Sequence, residues 1–569
     1  MVPVCLQYGF PAKSAIRGAK NGIRPLSSWL SFGKPNGWHM TDLIGERLSH
    51  AGRLRRRDIL KGAAGLTVAA LVAPSVGWAQ AGKRLLVGVH QDLPIPDAQM
   101  SRAMVTHMVM KHVVENLVTF DENYEVIPQL AKSWDVLDDG ARYVFHLRDN
   151  VVFHNGKTLD ADDVKWSVDR LKEVSPSKGS YSGIKAVNVI DPRTVEIVLK
   201  DPSPSLPSTL AGPFGGYIMP KDLDKAQGGT ISKPIGTGPF SWVEYQPGRL
   251  LRVKKFDNYS VDTSFDGPTG LGGRREAQVD EIEFRVVPVS SARATALETG
   301  ELDFALLLDV NDFERLAASR TARQVEEPSF ESLVLWLGVT VAPTSDLNFR
   351  KAVAASIDYK TLMDASVAGH GAVNNAFLHP ELRAWFTPSM AARHKFDLNT
   401  AKALLAKTAY RGETLTIHVS NSTEYSLNAA LVLQQMLGQA GIKIEVHPVD
   451  SAGVMSIVYA RKPTYNFGMT SISGRMDPDQ VYFQRLHSSS AVNAYNNPEY
   501  DKVVEAARAS MSQETRRKLY SQAQDIVMAD IPAIVLFNVS FLNARAPRMV
   551  GYKPNALGLS RFWNVGLGK

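Results

Sequence analysis

Leu415-Thr416-Ile417-His418-Val419 is followed by the polar loop Ser420-Asn421-Ser422-Thr423-Glu424-Tyr425. An amphipathic run from Leu427 to Ala440 comes next, then Gly441, then Ile442-Lys443-Ile444-Glu445-Val446. This stretch decides the fold class. Alternation of apolar and polar residues over five positions predicts a strand. The longer run with helical spacing predicts a helix, and Gly441 supplies its C-terminal stop. A strand-helix-strand unit implies parallel pairing through a right-handed crossover.

The same grammar appears elsewhere. Glu281 to Val287 reads as a strand, the Ala-rich segment 291–299 as a helix with Ser290 as its N-cap and Gly300 as its stop, and Leu302 to Leu308 as the next strand. Leu85-Leu86-Val87-Gly88-Val89 is a further short strand. Its polar loop leads into a helix predicted over Met104 to Leu117. Tyr465 to Ile472 is a strand that ends in Ser473-Gly474-Arg475-Met476-Asp477-Pro478-Asp479. Two such units, far apart in the chain, argue for two α/β lobes, each with its own largely parallel sheet. Between the first strand and the first complete unit, residues 121–229 differ. Alternating runs such as Tyr143-Val144-Phe145-His146-Leu147 and Thr194 to Leu199, with frequent Pro and Gly, predict a mostly antiparallel insertion. Asp162 and Asp163 are expected to cap the helix that carries Val164, Trp166 and Leu171.

Charge narrows the partners. The formal net charge of the 569 residues is +7, but residues 1–81 hold 11 Lys+Arg against 3 Asp+Glu, leaving 53 basic and 54 acidic residues in 82–569. A body with a net charge of −1 lacks the clustered positive charge that a nucleic-acid partner requires. Arg55-Arg56-Arg57-Asp58-Ile59-Leu60-Lys61 precedes a mild apolar run from Gly62 to Ala73, and Ala79-Gln80-Ala81 offers a small-x-small cleavage site. These features read as a twin-arginine export signal, because the run is too short and too weakly apolar to span a bilayer. Residues 1–39 fit no signal peptide, and Met40 is an alternative start. The one cysteine, Cys5, lies upstream of the cleavage site, so a thiolate metal site, a disulfide framework and a cysteine nucleophile are excluded from the exported chain.

Signals for catalysis are poor. No H-E-x-x-H, G-x-S-x-G or Walker-type loop is present. His107 and His112 are five residues apart, a spacing that does not bring both rings to one metal, and Gly236-Thr237-Gly238-Pro239-Phe240 reads as a tight turn. No cofactor and no metal are expected. In open α/β sheets, ligands sit where loops leave the carboxyl ends of strands. That rule selects three loops with their polar residues: Gln91 and Asp92; Asn421, Thr423 and Tyr425; Ser473, Gly474, Arg475 and Asp477. Trp336, in the apolar strand Leu333 to Leu337, either stacks on a ligand or belongs to the core. His370 and Asn374 follow a helix of the second half and are further candidates.

From 128 to 170 the sequence carries Pro128-Gln129-Leu130-Ala131-Lys132-Ser133-Trp134, Asp139-Gly140, Tyr143 to Arg148, Val152-Phe153-His154-Asn155-Gly156-Lys157 and Ala161-Asp162-Asp163-Val164, with Ser167 and Arg170. Pro234 to Phe240, Arg350-Lys351-Ala352 to Ile357-Asp358 and Tyr495-Asn496-Asn497-Pro498-Glu499-Tyr500-Asp501 follow in order. This series resembles the dipeptide/oligopeptide/nickel class of ABC-transporter solute-binding proteins (family 5) over essentially all of 84–560. The resemblance implies a two-lobed periplasmic-binding-protein fold of the cluster C type, with a β-rich domain inserted in the first lobe. It implies a leader at 1–81, a first lobe built from 82–120, 230–330 and 536–569, an insertion at 121–229 and a second lobe at 331–535. It also implies a periplasmic, monomeric binder rather than an enzyme. That binder would hand a small solute to an ABC permease and its ATPase and touch the membrane only through them. A periplasmic sensor or chaperone with the same clamshell, or a secreted α/β hydrolase, are the alternatives.

Two departures bear on the solute. The arginine that dipeptide-binding members use for the peptide carboxylate falls at Thr423, and their aspartate for the peptide amine falls at Gly474. A buried peptide terminus without its partner costs several kcal/mol. The expected ligand is therefore anionic or uncharged at that end: a modified peptide, an opine, a sugar conjugate or a metal chelate. Arg475 either provides the counter-charge or pairs with Asp477 or Asp479.

Overall fold

The computed structural model describes residues 83–212, 216–460, 464–490 and 494–568. The twin-arginine segment and the small-x-small site lie outside them. Among the described residues, no helix is long and apolar enough to cross a membrane.

Both predicted units form. The strand Leu415–Ser420 pairs in parallel with Ile444–Val449 on one side and Phe467–Ile472 on the other. The helix Glu424–Ala440 stops at Gly441, whose φ of 97° is a left-handed conformation that a glycine adopts without strain. In the other unit, Arg84–Val89 lies between Glu281–Val286 and Phe304–Ala305, parallel to both. The crossover helix Ser290–Glu298 therefore carries the chain over an intervening strand. Its cap residue is Val289, not Ser290; the Ser290 hydroxyl instead accepts from the Asp309 amide at 2.9 Å and ties the two ends of the crossover together.

One sheet of eleven strands joins the two units. Its centre is a pair of long antiparallel strands, Arg323–Leu337 and Ala533–Arg545. At one end Arg545 pairs with Phe304, and at the other Leu337 pairs with Phe467, so this pair is the bridge between lobes. Side chains along the bridge alternate between two cores. Leu333, Leu335 and Leu337 pack with Ile417, Leu433 and Phe467, while Val334 and Trp336 face the larger cluster that includes Val87, Phe284 and Tyr482. The ladder is interrupted between Pro328 and Ser332, where the Phe330 amide donates to the Ala556 carbonyl. The architecture is a two-lobed α/β fold.

Residues 131–199 hold a separate antiparallel sheet in the order Ala131–Leu137, Arg142–Leu147, Thr194–Leu199, Ile184–Asp191. The helix Ala161–Val174 is capped by Asp160, which forms a reciprocal capping box with Asp163. Asp162 does not cap; it pairs with Lys221 at 3.2 Å.

The helix predicted over Met104 to Leu117 ends at Met110. The carbonyls of His112 and Val113 turn aside to accept from the amides of Phe240 and Gly238, both at 3.0 Å. A Cβ on Gly236 or Gly238 would stand 2.1 or 2.5 Å from these carbonyl oxygens. The glycine-rich turn is therefore a docking surface for backbone, and His112 and Val113 give up helical pairing to meet it.

Candidate ligand cleft

The loop Ser473–Asp479 begins where Phe467–Ile472 leaves the sheet, and the helix Asp479–Leu486 follows directly. Ser473, Gly474 and Arg475 line a cleft of about 590 Å³, within the range of small-molecule sites. The opposite wall comes from the turn around Ser177 to Tyr181, from Ser208 and Thr209 on the helix Leu206–Ala211, and from Arg102. A neighbouring cavity of about 450 Å³ shares Gly179, Ser180, Thr209 and Gln484 with it, so the space continues past the first chamber.

The electrostatics of the cleft are one-sided. Among the described residues Arg102, Arg475 and Arg485 line it and no Asp or Glu does, whereas Asp201, Asp479 and Glu505 line the neighbouring chamber together with Arg508. Arg475 donates to the Ser473 hydroxyl at 2.8 Å and to the backbone carbonyls of Ser473 and Gly474 at 3.3 Å. Neither acid close to it in sequence serves as partner: Asp477 pairs with Arg516 at 2.6 Å and Asp479 with Arg508 at 3.6 Å. Burial, then the like charges of Arg485 and Arg102, pull Arg475 down to about 10. Asp479 is pushed up to about 6, chiefly by burial.

The other candidates disperse. Thr423, Tyr425 and His370 line a different cavity of about 530 Å³ that shares no lining residue with the first. There Thr423 stands at the N-cap position of the helix Glu424–Ala440 without a capping bond to its backbone, and its hydroxyl donates to the Ser426 hydroxyl at 2.7 Å. Tyr425 contacts the Glu331 carboxylate and the Ser471 hydroxyl. His370 lies between Glu314 at 2.7 Å and Glu326 at 3.1 Å. Gln91 is exposed. Asp92 accepts from the Tyr245 hydroxyl at 3.0 Å and the Gly248 amide at 2.6 Å, pinning its loop to a hairpin. Exposed Asn421 donates its amide to Val449. Asn374 is fully buried and staples its own loop through Ala376 and Leu378. Asp477 is buried against Arg516. Trp336 is core: its indole N–H donates to the Thr470 hydroxyl at 2.9 Å, and its ring meets Tyr459 edge-on. Tyr459 reaches the cleft in its place.

Sequence reasoning missed Arg102, Tyr459, Gln480, Gln484 and Arg485. The helix that starts at the end of the selected loop puts Gln480 and Gln484 one turn apart on the cleft face, a signal that was readable. Arg102 carries no local signal at all.

This geometry has known counterparts. The model of the bacterial extracellular solute-binding proteins, family 5, middle region, matches residues 125–494. Glutathione-binding protein GsiB of Salmonella paratyphi A is 25% identical over 491 residues, which cover 83% of this chain and 92% of that protein. Heme-binding protein A of Haemophilus influenzae is 27% identical over 493 residues, covering 80% of this chain and 87% of that one. The crystal structure of the ABC transporter substrate-binding protein CtaP from Listeria monocytogenes shares the fold with a TM-score of 0.74 at 22% identity, over 86% of this chain and all of that one. With a match over most of its length and two lobes around a solute-sized cleft, the chain belongs to family 5 of the bacterial extracellular solute-binding proteins.

Proposed function

We propose that the chain captures a small anionic solute between its lobes and delivers it to an ABC import permease driven by its ATPase. In this reading the protein is exported by the twin-arginine signal and acts as a periplasmic monomer. Its first lobe comprises 82–120, 230–330 and 536–569, its insertion 121–229 and its second lobe 331–535. One observation carries the solute's charge: Arg475 faces the cleft while the acids nearest to it in sequence are paired with other arginines. A bound carboxylate or phosphate would complete the interaction that Asp477 and Asp479 leave unmade. Relatives named for glutathione and heme bind carboxylate-bearing molecules, and peptide-like acids are the class this cleft suits. Closure follows because a ligand that touches both walls has full contact only when the lobes meet.

The test is native mass spectrometry of the mature protein purified from its own periplasm, followed by denaturation and identification of what is released. An acid-bearing small molecule is the expected result. A co-purified cation, or an ordinary dipeptide whose free amine and carboxylate are both held, would overturn the reading.

A further inference from the structure

We infer that the cleft selects solutes carrying at least two acidic groups, gripped from opposite walls by Arg102 on one side and by Arg475 and Arg485 on the other. The inference rests on the anionic-solute reading and sharpens it.

The three arginines come from separate elements. Arg102 lies between the short turn Ala98–Met100 and the helix Met104–Met110, Arg475 lies on the loop after Phe467–Ile472, and Arg485 sits in the last turn of Asp479–Leu486. None is in an ion pair among the described residues. The Arg102 guanidinium donates to the Pro176 carbonyl. Arg485 stands over the Tyr459 ring, 5.3 Å from its centroid. Carbonyls, a hydroxyl and a ring face orient these groups but leave their charge uncancelled.

Like charges in a cleft with low-dielectric walls reinforce one another. Burial and the two neighbouring arginines already weaken the hold of Arg475 on its proton. A monoanion seated on Arg475 leaves the charges of Arg102 and Arg485 facing each other across the cleft. A di- or trianion meets both walls at once, and each guanidinium can form a paired fork with one acid group. Ser177, Ser180, Ser208 and Thr209 offer hydroxyls along the same wall as Arg102. The repulsion thus opposes closure of the empty protein, and only a multiply charged solute relieves it fully.

The experiment compares citrate with acetate as probes, at matched ionic strength, by thermal unfolding of the mature full-length protein. Wild type and the variants Arg102→Gln, Arg475→Gln and Arg485→Gln are measured with and without each anion. Citrate should raise the melting temperature well beyond acetate. Each arginine removed should weaken the citrate midpoint about tenfold or more, the size of one charge-assisted hydrogen bond. Each variant should also melt higher than wild type at low salt without anion. Arg475→Lys, which keeps the charge, should retain part of the citrate response and so separates loss of charge from loss of fold. Equal responses to citrate and acetate, or an unchanged citrate response in Arg102→Gln, would overturn the inference. If Arg475→Gln alone abolishes the response to both anions, the single-anion reading stands and this one falls. If neither anion stabilises any form, both fall.

Discussion

Asp477 and Arg516 form an ion pair at 2.6 Å with side chains only 1% and 4% exposed. The guanidinium also lies 4.8 Å from the centroid of the Trp385 ring, and the carboxylate accepts the Asp479 amide at 2.9 Å. The loop that carries Arg475 is therefore anchored from beneath to the helix Gln513–Asp530. Asp477→Ala should cost about 3–5 kcal/mol, because it strands a buried cation. Removing both partners as Asp477→Ala/Arg516→Met should cost less than the sum of the single changes. Urea denaturation of the four forms measures the difference, and an additive result would show that the pair does not act as a unit.

Gly474 has a steric reason to lack a side chain. A Cβ there would stand 2.1 Å from the Phe330 Cβ, at the break in the bridging strand. Phe330 in turn packs against Tyr124 and His379, with ring centroids 4.6 and 5.0 Å away. Gly474→Ala should therefore destabilise by about 1–3 kcal/mol, the usual cost of overpacking. Gly474→Asp restores the residue that dipeptide-binding members carry, and it should destabilise more without conferring affinity for a dipeptide such as Met-Leu. Calorimetric titration with Met-Leu checks this; micromolar binding would show that the acid alone, not the space, was missing.

The lobes were legible in the sequence because their units obey local rules: period-two strands, amphipathic helices and glycine stops at Gly300 and Gly441. What failed locally failed through tertiary contact. The helix after Ala103 ends early because His112 and Val113 pair with a turn over a hundred residues away. Ser290 gave up its capping role to hold Asp309. The site was legible only in part. Arg475 followed from the strand-end rule, but Arg102 reaches the cleft through topology, which no spacing encodes. Gln91, Asp92 and Asn421 sit at strand ends as the rule requires, yet that rule does not say which strand ends the lobes bring together.

Trp336→Phe separates core from site. The change keeps an aromatic ring next to Tyr459 but removes the indole N–H that donates to Thr470. Loss of one buried hydrogen bond predicts about 1 kcal/mol of destabilisation, with citrate affinity in the thermal assay changed less than twofold. A drop in affinity of tenfold or more would place Trp336 in the binding machinery.

Acid should weaken this fold through its histidines. Burial holds His107 down at about 3 and His112, His154 and His379 at about 4, against an ordinary value of 6.5. His112 shows why: Nδ1–H donates to the Met108 carbonyl and Nε2 accepts the Phe562 amide, both at 3.0 Å, so a second proton would break the latter bond. With folded values depressed, the native state binds fewer protons than the unfolded chain below pH 6.5. The stabilisation is complete above that pH and is lost as the pH falls towards 4, at up to about 1.4 kcal/mol per pH unit for each histidine. Asp479 opposes the trend, since a carboxyl raised to about 6 favours its protonated form in the native state as pH falls. Burial raises the carboxyls of Asp163, Glu327 and Asp525 as well, but the lowered imidazoles, which also include His90, His394 and His418, outnumber the raised carboxyls. Urea midpoints should therefore fall from pH 7 to pH 5, and His112→Gln should flatten the slope by the share of one group; a midpoint that stays level over this interval would rule the account out.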